Sequence, residues 1–153
     1  MAALREAIAA MNGGDAGYDV VIVCCTDNHQ ASYWNERLSN GLCRREDDTS
    51  SSSSPFPMVL AVSEDWGAGG AGNGLGTLYA YKKAAALAQE KFGVDLTAKL
   101  SSAAVSAALF HTAGKGTRMA PLPASENNNK PAVRLPATIE VGGKKVPITV
   151  LGK

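Results

Sequence analysis

Tyr18-Asp19-Val20-Val21-Ile22-Val23-Cys24-Cys25 is the stretch on which the fold turns. It is short, β-branched and uncharged after Asp19, so it reads as a strand buried on both faces, the kind found inside parallel sheets. Upstream, Ala2 to Met11 sets Leu4, Ile8 and Met11 on one face at helical spacing, and Gly13-Gly14 ends that helix. Downstream, Thr26-Asp27-Asn28 offers capping oxygens for a helix from His29 to about Leu38, which Asn40-Gly41 would close.

The same alternation continues along the chain. Residues 44–57 (R-R-E-D-D-T-S-S-S-S-S-P-F-P) offer nothing to bury and read as a mobile loop within one domain spanning 1–153. Met58-Val59-Leu60-Ala61-Val62 is a second strand. A glycine-rich segment from Gly67 to Gly76 then leads to a helix from about Thr77 to Phe92, closed by Gly93, with Leu78, Tyr81, Ala85 and Ala88 on its inner face. Ser101 to Phe110 divides into a short helix and a strand that enters a glycine turn at His111. Thr138-Ile139-Glu140-Val141 and Val146-Pro147-Ile148-Thr149-Val150 flank Gly142-Gly143-Lys144-Lys145 as in a β-hairpin, with Pro147 restricting its strand to an edge. The expectation is an α/β protein with a mostly parallel sheet flanked by helices and a C-terminal hairpin.

Composition narrows the function. The 153 residues carry a net charge of +1, without the basic stripe that nucleic-acid binding requires. No apolar run is long enough to span a bilayer, and Arg5 and Glu6 interrupt any signal-peptide core, which points to a cytosolic or organelle-matrix protein. Cys24, Cys25 and Cys43 have no zinc-ligand spacing and read as reduced thiols. Glu46-Asp47-Asp48 reads as a solvated loop and not as a metal site.

The chemistry-bearing segment runs from His111 to Pro136: H-T-A-G-K-G-T-R-M-A-P-L-P-A-S-E-N-N-N-K-P-A-V-R-L-P. Ala113-Gly114-Lys115-Gly116-Thr117 can present backbone N–H groups and a hydroxyl to phosphate oxygens where a larger side chain would block approach. Arg118 adds a permanently charged forked donor, and Lys130, stiffened by Pro131, adds a second cation. A Walker A loop is excluded, because Gly-Lys is followed by Gly116 and not by a hydroxyl residue.

This segment resembles the signature of the sugar-1-phosphate nucleotidyltransferases (pyrophosphorylases), G-x-G-T-R, a hydrophobic residue, Pro-Leu and then Lys-Pro. It is matched here by Gly114, Gly116, Thr117, Arg118, Met119, Pro121, Leu122, Lys130 and Pro131. Ser125-Glu126-Asn127-Asn128-Asn129 lengthens the spacing before the lysine. Gly74-Leu75-Gly76-Thr77 is similar to the family element beside the nucleotide base, although here it precedes the loop, an order similar to the fucose-1-phosphate guanylyltransferase branch. The resemblance implies an incomplete Rossmann-like fold and transfer of a nucleoside monophosphate from a nucleoside triphosphate to a sugar 1-phosphate. It further implies Arg118 on the departing pyrophosphate, Lys130 on the phosphates and Mg²⁺ as cofactor. Family catalytic domains are longer and hold their metal on aspartates beyond the loop, so the resemblance also implies an N-terminal fragment, inactive alone, in which no metal ligand is identified. The competing class is a non-catalytic nucleotide-binding or assembly module that keeps the loop. A dinucleotide-binding reading of Gly67-Ala68-Gly69-Gly70-Ala71-Gly72 is weaker, because Ser63-Glu64-Asp65-Trp66 separates those glycines from the strand. His29 and His111 read as structural, since the expected reaction needs little proton transfer.

Overall fold

The computed structural model describes residues 18–39, 54–66, 71–113, 133–141 and 143–149. Strand β1 (Val20–Cys25) leads through helix α1 (Asn28–Arg37) to β2 (Met58–Ser63). Helix α2 (Gly72–Phe92) and a short α3 (Leu96–Ser101) then lead to β3 (Ala107–His111). The three strands form a parallel sheet in the order β2-β1-β3, with Val23 of β1 level with Ala61 on one side and Phe110 on the other. Arg134–Val141 (β4) and Lys144–Thr149 (β5) pair with each other antiparallel as a separate two-stranded sheet. The helix expected at 2–11 and residues 44–53 of the loop expected at 44–57 lie outside the described residues.

Strand geometry divides the core in two. Val20, Ile22 and Cys24 of β1 point to one face and meet Met58, Leu60 and Val62 beneath Ala80, Ala84 and Ala88 of α2. Val23 and Cys25 point to the other face and meet Ala61 beneath Ala31, Trp34 and Leu38 of the α1 segment. A strand with both faces covered has no solvent side, which is why the run is almost unbroken in apolar character. The chain moves outward from β1 to β2 and then back across β1 to β3. Right-handed crossovers in opposite directions require helices on opposite faces, as observed.

Local chemistry sets the helix limits. Asp27 caps α1 by accepting from the Gln30 N–H at 2.8 Å. Asp95 caps α3 in the same way through the Ala98 N–H at 2.9 Å, so the short helix lies before Ser101 and not after it. Gly93 ends α2 in the left-handed conformation (φ 66°), donating to the Ala88 and Gln89 carbonyls.

Helix α2 differs from its sequence reading in two respects. It begins at Gly72, five residues before Thr77, so Gly74, Gly76 and Thr77 belong to its first turns. Its buried row is Gly76, Ala80, Ala84 and Ala88, while Leu78 is 62% exposed and Tyr81 and Ala85 flank the core. Small side chains at every fourth position let the helix axis approach the sheet, and the larger ones are pushed to the sides. Phe56, read as part of a loop with nothing to bury, packs against the α2-side core. Trp34 is fully buried, with Tyr33 edge-on at 5.1 Å, and its Nε1 has no hydrogen-bond partner among the described residues. Trp66 is 44% exposed and lies against Tyr79 at 5.5 Å.

Candidate functional site

In an open parallel sheet the crevice at the carboxyl ends, where successive crossovers run in opposite directions, is the natural ligand site. Here that point lies between β1 and β3. Chain exit from β3 is fixed there by the Cys24 carbonyl, which accepts from the Thr112 N–H at 2.9 Å, the Ala113 N–H at 3.1 Å and the Thr112 hydroxyl at 3.0 Å. Thr112 is buried, so these bonds form away from water and hold the chain immediately before Gly114.

The first turns of α2 meet the same point. His111 Nε2 lies 2.8 Å from Thr77 Oγ1, and Thr77 donates its only hydroxyl proton to the Asn73 carbonyl at 2.6 Å. His111 Nε2 therefore carries a hydrogen and donates it to Thr77. Gly76 is buried beside this pair: a Cβ placed there would sit 3.5 Å from the His111 ring and 3.7 Å from a Glu64 carboxylate oxygen. The N-cap of α2, Ala71, supplies no side-chain cap, so the helix presents its first N–H groups without one.

A polar group at the end of β2 completes the carboxyl edge. The Lys83 ammonium donates to the Ser63 carbonyl at 2.9 Å and to the Ser63 hydroxyl at 3.1 Å, and it pairs with the Asp65 carboxylate. Ser63 Oγ also lies 2.7 Å from oxygens of Asn28 and Asp65. Asp65 takes a left-handed backbone (φ 47°), which aspartate tolerates better than most residues. The hydrogen bond from Lys83, and then that from Ser63, hold its carboxyl below the usual carboxylate range. Burial pushes the Cys24 and Cys25 thiols up to about 11; Glu64 adds to the effect at Cys24, and Thr112 opposes it at Cys25. Both are free thiols and protonated at neutral pH, as reduced buried cysteines should be.

Of the sequence-derived site residues, Gly74, Gly76, Thr77 and Ala113 fall among the described residues; Gly114, Lys115, Gly116, Thr117, Arg118 and Lys130 lie outside them. Gly76, Thr77 and Ala113 converge on the end of β3, whereas Gly74 faces open space. His111, expected to be structural, bonds Thr77, and His29 is exposed. Sequence reading missed Lys83 and Ser63. Their only signal is a hydroxyl residue ending a strand and a lysine deep in the following helix.

Among the described residues no three His, Cys, Asp or Glu side chains gather as metal ligands, and Asp65 is committed to Lys83.

The fold and this edge define an α/β protein with a small, all-parallel three-stranded sheet flanked by helices. No described helix is long and apolar enough to cross a membrane. Comparison with family models, curated proteins and solved structures finds no match.

Proposed function

We propose that this chain is part of a sugar-1-phosphate nucleotidyltransferase with an incomplete Rossmann-like fold, acting in the cytosol or an organelle matrix. It would move a nucleoside monophosphate from a nucleoside triphosphate to a sugar 1-phosphate and release pyrophosphate. The observation that carries this reading is the contact between His111 and Thr77 at 2.8 Å. It joins the two stretches that resemble the family, Gly74-Leu75-Gly76-Thr77 and the segment entering Gly114-Lys115-Gly116-Thr117-Arg118, which are separated by more than thirty residues of sequence.

The sugar phosphate is itself the nucleophile, so the protein's work is to hold two anions in line and to offset charge as pyrophosphate departs. In this proposal the clamp on the Cys24 carbonyl fixes the start of the phosphate loop, and Gly114 and Gly116 admit the triphosphate to backbone N–H groups. Arg118 then binds the departing pyrophosphate, and Lys130 steadies the phosphates. Thr77, held by His111, fixes the first turns of α2 beside the nucleotide.

Calorimetric titration of the chain with each common nucleoside triphosphate tests this reading. One triphosphate should bind, and Arg118→Ala should weaken it by roughly tenfold or more, the usual cost of losing a charge-assisted phosphate contact. Absence of binding by all of them, or equal binding by the variant, would overturn the proposal.

A further inference from the structure

Among the described residues strand β2 ends the sheet on one side, and its backbone is engaged there by side chains. In a parallel strand alternate residues direct both N–H and C=O to the same side. Met58 and Glu64 donate toward the β1 side, to the Asp19 and Cys25 carbonyls, so Ala61 and Ser63 direct their backbone groups to the free edge. At Ala61 the Asn35 amide answers both groups: Nδ2 donates to the Ala61 carbonyl at 3.0 Å, and Oδ1 accepts from the Ala61 N–H at 2.8 Å. A side-chain amide has the same donor and acceptor as a peptide, so Asn35 occupies the position that a neighbouring strand's backbone would take. One pair of residues further on, Lys83 donates to the Ser63 carbonyl at 2.9 Å.

The two side chains come from opposite layers, Asn35 from α1 and Lys83 from α2. Both line a groove of about 430 Å³ that runs along this edge between the helices. Lys83 and its Asp65 partner also place an ion pair at this edge, which an arriving strand would have to desolvate.

We propose that Asn35 and Lys83 close the β2 edge to strand addition, and that without them β2 pairs with the β2 of a second copy. Such pairing would be antiparallel about a two-fold axis, joining two three-stranded sheets edge to edge. This inference is independent of the proposed reaction.

Amide hydrogen exchange and sedimentation velocity of the full chain test it together. In the wild type the Ala61 amide should be protected. In Asn35→Ala it should exchange about tenfold faster in dilute solution, as expected for a lost hydrogen bond on an edge strand. The variant should also associate at concentrations where the wild type does not change its sedimentation. Lys83→Met leaves the Ala61 pair in place and opens the edge at Ser63, so it should associate more weakly. An unprotected Ala61 amide in the wild type overturns the proposal without reference to any variant. So does wild-type sedimentation by whichever of the two variants is folded, judged by circular dichroism.

Discussion

At the scale of single residues, the informative groups are those with few hydrogen-bonding options. Thr77 has one proton and gives it to Asn73, which forces the direction of the His111 contact. Thr77→Val and His111→Ala should each destabilise the fold by about 1 kcal/mol, with a coupling energy of similar size in the double-mutant cycle. Denaturant unfolding measures both, and additive effects would show that the contact contributes nothing. Cys24 and Cys25 should react slowly with a thiol reagent at pH 8, because burial keeps them protonated and shielded. The residue-level chemistry was partly legible. A hydroxyl, a histidine and glycines flanking a turn stand out in the sequence, and so do two adjacent cysteines in an apolar run. Nothing in the sequence pairs His111 with Thr77, because that contact depends on a crossover that returns the chain to the far side of β1.

At the scale of elements, α2 shows where pattern reading fails and why. Leucine and tyrosine attract attention as core residues, yet a helix lying close to a sheet selects for absence of bulk. Gly76, Ala80, Ala84 and Ala88 mark the true face. Ala84→Leu should therefore cost about 1–3 kcal/mol by overpacking, despite its higher hydrophobicity. The glycines at the start of α2 argued for a loop, but packing of Gly76 against His111 outweighs their poor helix propensity. The end of the helix was legible because Gly93 meets a backbone demand that few other residues meet. Gly93→Ala should cost about 1 kcal/mol, read as a fall in thermal midpoint. Asp95 is the mirror case: its cap was present in the sequence and overlooked, and the short helix was placed too late as a result.

At the scale of the molecule, strands and helices in alternation announced the α/β class, because a strand covered on both faces leaves a continuous apolar run. Strand order was not legible, since it depends on which way each crossover turns. Of the proposed phosphate loop, only its entry at Ala113 is among the described residues. Global stability should carry the signature of the two thiols. Their folded values near 11 lie above the ordinary 9.0, so their contribution is complete below pH 9 and is lost as pH rises toward 11. The loss should be on the order of 2 kcal/mol per thiol, and replacing both by alanine should flatten stability over that interval. In acid the sign reverses: Asp65, with its lowered value, contributes above the usual carboxylate range and loses that contribution as pH falls, modestly because the group is half exposed. The two tryptophans give the protein a pair of built-in optical probes. Trp34, sealed under α1, should emit at short wavelength and resist iodide, whereas Trp66, open to water beyond β2, should emit to the red and be quenched. A ligand arriving at the carboxyl edge would then alter the red component alone, while loosening of the α1 layer would alter the blue one.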